Sequence, residues 1–274
     1  MRKKRKLRKG NNTKVAIIFI AFVAFIVSAS LVFKFIYILS QSKFDDSKKF
    51  TLAVSNKKAQ EVILFSPGSA KVTVISSSLT ILKLENDIAI PASQFLAIPV
   101  DGFVRSEILD LNQKIETLLA KMILNYKKMQ TNLTMVDLIK LFVFAKRLPE
   151  RETNVKNIPK DISIGEIDSM VTRLVNDEQI EKDSKTIQII NGTNVAGLGN
   201  RLARLVTNIG GDVIIVATAN RPQKYSEITY IDDKSYTAER LGEILGFRTI
   251  KVSDRKIADI TIIIGEDSIN PTIF

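Results

Sequence analysis

The sequence predicts an α/β protein with an N-terminal transmembrane helix, a mixed α/β middle region and a compact C-terminal α/β layer domain. Two observations predict this fold class. A long apolar run lies at residues 15–39, and the later segments alternate between β-branched runs and apolar residues at helical spacing. The chain has 274 residues. Roughly 235 of them follow the apolar run, which is enough for one or two modest domains.

The apolar run predicts a helix that spans a membrane. Its first nineteen residues, 15–33, contain no charged residue and no proline. At 1.5 Å per residue they form a helix of about 28 Å, close to the thickness of the hydrocarbon core of a bilayer. Lys34 lies near the far end, where its long side chain can reach the headgroups. We therefore expect the lipid bilayer to be a partner of the chain.

The charges on either side of the run predict its orientation. Residues 1–14 form a basic tail with eight Lys or Arg and no acid, whereas Asp45 and Asp46 partly offset the lysines beyond the run. Because an excess of Lys and Arg marks the cytoplasmic side, we expect the tail to stay inside and residues 40–274 to lie outside the cell membrane. Cleavage of a signal peptide near residues 28–30 is the alternative, but the apolar run continues beyond them, which favours an uncleaved signal anchor.

The charge and the absent residue types exclude several classes of function. The tail supplies +8 of the formal net charge of +11, which leaves only +3 for the rest of the chain. This mild excess predicts no nucleic-acid partner, although a tail that binds nucleic acid is an alternative interpretation. The chain has no Cys and no His, which excludes disulfides, a His-based catalytic triad and an HExxH protease. We expect no catalytic residue, no metal site and no cofactor.

The middle region begins after a polar stretch at residues 40–49, which predicts a short tether. Residues 50–175 then predict a mixed α/β region. The strand segments before residue 100 are β-branched runs, namely FTLAVS, EVILF, AKVTVIS and TILKLE.

Three helices are predicted in the second half of this region. Apolar residues at helical spacing predict a helix over about 105–129. Two further helices are predicted where a capping box precedes an apolar face. Their boxes are Thr134-x-x-Asp137 and Ser163-x-x-Glu166.

The charged residues 176–185 predict a linker to a final α/β layer domain at 186–267. The strands of this domain are predicted at KTIQII, DVIIVATA, EITYID, TIKV and ADITIII, and DVIIVATA is typical of a strand buried on both faces. The acids that flank the last strand are predicted to be strand-end residues, namely Asp259, Glu266 and Asp267.

Two amphipathic helices are predicted between these strands. The apolar face of the first extends from Leu198 to Ile209, and Gly210-Gly211 ends it. The second is predicted to be capped by Asp232 or Asp233 and to end at Gly246.

The turn after the first strand of the C-terminal domain holds the candidate ligand-binding residues. Its Gly192-x-x-x-x-Gly197 spacing is similar to a phosphate loop, but Leu198-Gly199 follow instead of the Lys and Ser/Thr that Walker A chemistry needs. Backbone N–H groups at a helix N-terminus nevertheless attract anions. The residues themselves favour a tight turn followed by a solvated helix face, and anion binding is the alternative interpretation. The six candidates are Asn191, Gly192, Thr193, Gly197, Arg201 and Arg204.

Residues 186–267 resemble the LytR C-terminal domain family. The resemblance rests on QIINGTNVAGLGNRLARLV and on ADITIIIGED, which ends in Gly265-x-Asp267. It implies a bacterial, extracytoplasmic module of the cell envelope that often follows a LytR-CpsA-Psr catalytic domain. It also implies binding of wall polymer, so the expected partners are cell-wall glycan or an envelope protein.

Residues 50–160 resemble a reduced LytR-CpsA-Psr domain in KVTVISSSLT, in Asp101-Gly102-Phe103 and in TNLTMVDLIKLFVFAK. Leu79 and Thr80 stand where the resemblance implies an Arg and an Asp that hold lipid pyrophosphate and metal. A leucine cannot stabilise pyrophosphate charge, so we expect a non-catalytic relative. The expected function is therefore that of a single-pass, membrane-anchored envelope protein with a binding module. The alternative is a glycopolymer phosphotransferase of the LytR-CpsA-Psr type.

Overall fold

The computed structural model describes residues 12–56, 59–78, 92–158, 163–231, 233, 235–253 and 257–269. The chain divides into two compact units, Met1–Ser42 and Lys43–Phe274. Several sequence expectations lie outside the described residues, namely the first eleven residues of the tail, Leu79, the whole of TILKLE with its Thr80, and the cap candidate Asp232.

The first unit contains the predicted apolar helix, α1 (Asn12–Ser40). Within it, Val15–Lys34 has a mean hydropathy of 2.9, and none of this stretch is buried. A helix that is apolar on every face has no polar face to present to water, and such helices are found in protein cores or in membranes. By length and composition, α1 can cross a membrane.

The first sheet of the second unit has six strands. They are β1 (Phe50–Ser55), β2 (Ala59–Ser66), β3 (Lys71–Ser78), β4 (Gly102–Arg105), β5 (Gln130–Thr131) and β6 (Thr153–Asn157). Their order across the sheet is β5-β4-β1-β2-β3-β6. β1, β2 and β3 pair antiparallel in chain order, whereas β4 and β6 run parallel to β1 and β3. β6 is therefore an edge strand.

Helices lie between these strands and after them along the chain. They are α2 (Ala92–Leu96), α3 (Ile115–Leu124), α4 (Met135–Arg147), α5 (Ile164–Val175) and α6 (Glu178–Asp183). The buried faces of α3 and α4 share a hydrophobic cluster with β1, β2 and β3. Both predicted capping boxes are present, at the N-termini of α4 and α5.

The helix predicted over 105–129 is shorter in the structure, where α3 begins only at Ile115. Leu109 and Leu111 are buried in the same hydrophobic cluster but lie in turns before the helix. Apolar spacing alone does not distinguish a helical residue from a turn residue whose side chain reaches the core. The predicted start of this helix was therefore wrong.

The predicted tether also differs from the structure. The backbone amides of Lys43 and Phe44 donate to Asp137 Oδ1 over 2.7 and 2.9 Å. The ring of Phe44 is buried and lies edge-on to those of Phe50 and Phe65. Burial of a large aromatic ring is favourable, so it holds the surrounding residues against the core. Residues 43–49 are thus part of the second unit.

The second sheet is formed by β7 (Thr186–Asn191), β8 (Asp212–Thr218), β9 (Glu227–Tyr230), β10 (Arg248–Lys251) and β11 (Ile260–Ile264). The strand order is β10-β9-β11-β7-β8, with β7 parallel to both β8 and β11. Two helices pack on it, α7 (Leu198–Asn208) and α8 (Tyr236–Leu245). This alternation of strands and helices confirms the predicted α/β class.

Two details of this sheet correct the sequence predictions. β8 lies at the edge, and its Ile214 and Val216 are 44% and 40% exposed, so it is not buried on both faces. An apolar run does not show whether its strand is central or at the edge of a sheet, because strand order is a tertiary property. The cap of α8 is Ser235, whose hydroxyl accepts the amide of Ala238 over 3.2 Å, rather than Asp232 or Asp233.

One hydrophobic cluster joins the two sheets. It contains residues of β2, β3 and α2 from the first and of β7, β11, α7 and α8 from the second. Ile180, from α6 within the predicted linker 176–185, is buried in it. The boundary between the two predicted domains stays a prediction. Both hydrophobic clusters lie wholly within residues 43–274, so this unit holds its own cores.

Candidate functional site

The turn that follows β7, residues 191–197, begins with Asn-Gly-Thr and is called the NGT turn. It is held together by the side chain of Asn191. Its Oδ1 accepts from the amide and the hydroxyl of Thr193, over 3.0 and 2.8 Å, and its Nδ2 donates to Val195 O over 2.9 Å. The amide of Val195 in turn donates to Thr193 Oγ1 over 3.1 Å. Asn191 and Thr193 are buried. These two predicted residues therefore close the loop on itself.

Gly192 ties the same turn to the end of β11. Its amide donates to Ile264 O over 2.9 Å, and its carbonyl accepts from the amide of Gln223 over 2.7 Å. A Cβ at this position would lie 2.8 Å from Ile264 O and 2.7 Å from the Gln223 side chain. Only glycine fits so close an approach of backbone to backbone. Gly197, with a φ of +80°, then caps α7 on the exposed side of the turn.

The loop therefore offers fewer donors than the sequence predicts. The amides of Gly192, Thr193 and Val195 are all used within the protein. Asn194 and Ala196 are exposed, as is Gly197. What remains for a ligand is the exposed rim of the turn and the first turn of α7.

The two candidate arginines of α7 have different surroundings. Arg204 Nε lies 2.7 and 2.9 Å from the two carboxylate oxygens of Asp168 on α5, and its Nη1 donates to Phe95 O over 2.9 Å. Arg204 thus fastens α7 to α5 and α2. Arg201 is exposed, and its side chain has no hydrogen bond or ion pair with any residue that the structure describes. Of the six predicted residues, Arg201 alone brings a charge to the rim of the turn.

The acids around the last strand hold strand ends. Asp259 Oδ2 accepts from the amide and the hydroxyl of Thr186, over 2.9 and 2.7 Å. These hydrogen bonds lower the pKa of the Asp259 carboxyl. Asp267 Oδ1 accepts from the amide and hydroxyl of Ser226, over 2.9 and 2.6 Å. Both side chains have the structural role that the sequence predicts for them.

A buried ionic contact between the two sheets is absent from the sequence predictions. Arg240 Nη2 on α8 lies 3.4 Å from Asp101 Oδ1, and donates to Lys49 O over 3.2 Å. Asp101 Oδ2 accepts from the amide of Thr51 over 2.8 Å. Burial raises the pKa of Asp101, and the Arg240 guanidinium opposes this rise. Only the single Arg on the apolar face of α8 could have signalled this contact.

No group of three or more Asp or Glu among the described residues could hold a metal ion. The chemistry available at the turn is the binding of an anionic or hydrogen-bonding ligand at one exposed edge.

Comparison with known proteins gives a family for the C-terminal part of the chain. Residues 184–267 match the family described as the LytR cell envelope-related transcriptional attenuator. No curated protein matches the chain.

Solved structures give weaker likenesses. The chain is similar to the transcriptional regulator yvhJ from Bacillus subtilis, with 12% identity, a TM-score of 0.31, and coverage of 41% of this chain and 83% of that one. It is similar to B. subtilis TagV, with 12% identity, a TM-score of 0.29, and coverage of 41% and 85%. For B. subtilis TagT these values are 14%, 0.32, 48% and 91%. None of the three likenesses carries an inference about the activity of this chain.

The family match covers the turn, both helices and all five strands of the second sheet. It begins within two residues of β7 and ends just after β11. The quoted motifs QIINGTNVAGLGNRLARLV and ADITIIIGED both lie inside it. The predicted resemblance of residues 184–267 to the LytR C-terminal domain family is therefore confirmed by the family match.

Proposed function

We propose that this chain is a single-pass, membrane-anchored envelope protein whose exported part binds a cell-wall glycopolymer, or an envelope partner, and catalyses no reaction. The observation that carries the proposal is the family match over residues 184–267, because the family is cell envelope-related. The apolar helix at Val15–Lys34 supports a membrane anchor by its length and composition. The basic tail supports an orientation with the tail in the cytoplasm.

The contact that we propose is the exposed rim of the NGT turn with Arg201. The first-turn amides of α7 and the guanidinium of Arg201 would face an anionic polymer. Such a contact is weak and sensitive to salt, because it is exposed to water. Many copies anchored in one membrane would compensate by avidity. Arg204 is not part of this contact, since Asp168 and Phe95 O engage it.

The test is the retention of purified residues 43–274 on isolated cell-wall sacculi at low salt. We expect retention above background, and loss of it as salt is raised. Arg201→Ala should lower the affinity about fivefold, the effect of losing about 1 kcal/mol from one exposed charge contact.

Arg248→Ala is the matched control. Like Arg201, Arg248 is exposed, but it lies on β10, at the edge of the second sheet opposite β8, where it pairs with Glu227 over 3.7 Å. Its retention should equal that of the unchanged protein. No retention at low salt would refute wall binding, and equal retention of the Arg201→Ala variant would refute the proposed contact.

The alternative is a glycopolymer phosphotransferase, with Asp101 in the segment that resembles the LytR-CpsA-Psr domain. The contacts of Asp101 argue against this role, because its two oxygens accept from Thr51 and face Arg240. Incubation of residues 43–274 with a lipid-pyrophosphate glycan donor and Mg²⁺ distinguishes the two functions. Turnover of the donor would favour the alternative.

A further inference from the structure

A cavity of about 550 Å³ opens on the first sheet, on the side that faces α3. Its floor is formed by β2, β3 and β6, and one wall by residues 111–118. The volume is in the range of small-molecule sites, which is about 300–1,000 Å³. Six apolar residues line it beside a larger number of polar ones, and the apolar residues are Ile63, Val74, Leu111, Ile115, Leu118 and Val155. The cavity is remote in sequence from the NGT turn.

A buried carboxylate lies in this lining. Glu61 is on the same face of β2 as Ile63, and it is only 6% exposed. Its Oε1 accepts from Ser76 Oγ over 2.7 Å, and Ser76 is its register partner on β3. No other described group donates to this carboxylate. Burial raises the pKa of Glu61, the bond from Ser76 lowers it, and the nearby Asp110 raises it further.

Burial of the ionised Glu61 carboxylate costs free energy unless a further donor or a positive charge pairs with it. An ionised carboxylate has lone pairs for about four hydrogen bonds, and among the described residues only the Ser76 hydroxyl donates to Glu61. Buried charges in proteins are usually paired, since an unpaired one loses its hydration without compensation. The cavity is the open space from which such a partner can approach.

The charges around the cavity determine which partner fits. Glu61 and Glu116 line it, and Lys114 at its rim is exposed and has other interactions. An anion would be repelled by the buried carboxylate, whereas an ammonium group would supply both opposite charge and N–H donors.

We propose that this cavity binds a small amphiphilic molecule whose apolar body lies on Ile63, Val74 and Leu118 and whose primary ammonium group donates to Glu61. This site does not rest on the proposed binding of wall polymer. It lies on the other sheet and selects the opposite charge.

The proposal is tested by calorimetric titration of residues 43–274 with three probes of equal chain length: hexylammonium, hexanol and hexanoate. We expect hexylammonium to bind tightest and hexanoate weakest. Glu61→Gln keeps the shape and an acceptor for Ser76 but removes the charge. It should weaken hexylammonium about tenfold, as the loss of one charge-assisted hydrogen bond predicts, and leave hexanol unchanged.

Two further variants complete the test. Glu266→Gln removes an exposed carboxylate from the turn after β11 and should change nothing. Val155→Trp should abolish the binding of all three probes, because Val155 lies on the cavity floor and is 62% exposed on an edge strand that tolerates an aromatic residue. Val155→Trp also tests the site if the Glu61 variant does not fold. Preference for hexanoate, no saturable binding, or unchanged binding in both Glu61→Gln and Val155→Trp would overturn the proposal.

Discussion

The same polar contact recurs at several strand and helix ends of this protein. In each case one side-chain oxygen accepts both the amide and the hydroxyl of a single Ser or Thr. The acceptors are Asn191, Asp259, Asp267, Asp183 and Asp137, and their respective partners are Thr193, Thr186, Ser226, Thr237 and Thr134. Residues of the types that bind ligands are therefore largely engaged in holding the protein's own backbone.

The contact of Asp259 predicts a pH dependence of stability. Because its folded pKa is lowered, it stabilises the fold above its unfolded pKa of about 3.9, and this stabilisation is lost as the pH falls through the folded pKa. Asp259→Asn should therefore be less stable than the unchanged protein at pH 6, and the difference should shrink below pH 4. Urea denaturation of residues 43–274 at a series of pH values measures this.

Asp212→Asn is the control for that series, since Asp212 is exposed on β8. Its stability should follow that of the unchanged protein throughout. A difference between Asp259→Asn and the unchanged protein that stays constant down to pH 2 would contradict the role of the carboxylate charge.

At the scale of elements, the capping box of α4 also makes tertiary contacts, because its Asp137 binds residues outside the helix. Asp137 is fully buried and accepts the amides of Thr134, Lys43 and Phe44. The box at the start of α5 has the same local bonds between Ser163 and Glu166, but it is exposed. Comparison of the two boxes separates local capping from tertiary fixation.

We expect Asp137→Ala to cost about 3 kcal/mol of unfolding free energy, because it leaves several buried donors unpaired. Ser163→Ala should cost about 1 kcal/mol, as a surface cap does. Urea denaturation measures both values. Asp137→Ala should also make residues 43–49 accessible to protease at neutral pH, whereas Ser163→Ala should not. Equal costs for the two variants would show that the contact with Lys43 and Phe44 contributes nothing.

At the scale of the whole molecule, the orientation in the membrane is open to a direct test. The chain has no cysteine, so a single introduced thiol reports on its own position. We expect Asp212→Cys to react with a membrane-impermeant maleimide in intact spheroplasts, because residues 40–274 are predicted to lie outside. Asn11→Cys, in the basic tail, should react only after lysis and serves as the control. The reverse pattern would refute the predicted topology.

The sequence predicts the local elements well where the signal is itself local. The capping boxes at Thr134 and Ser163 depend on residues three apart, and the helix α7 on an apolar face that ends at Gly210. The family match of residues 184–267 could also be predicted from the sequence, since the motifs that carry it are contiguous. For the candidate site, the sequence locates the NGT turn. It does not show that the amides of Gly192, Thr193 and Val195 donate to groups within the protein.

The amino-acid sequence is sufficient to predict the apolar N-terminal helix, the α/β class and the family match of residues 184–267. The contact of Arg204 with Asp168, the edge position of β8 and the place of Glu61 in the cavity lining depend on the tertiary structure. An acid among β-branched residues, at two-residue spacing from Ile63, was the one sequence signal for Glu61. The physical reason is the range of the interactions: periodicity and capping act within a few residues, whereas strand order, ion pairs and cavities join residues far apart in the chain.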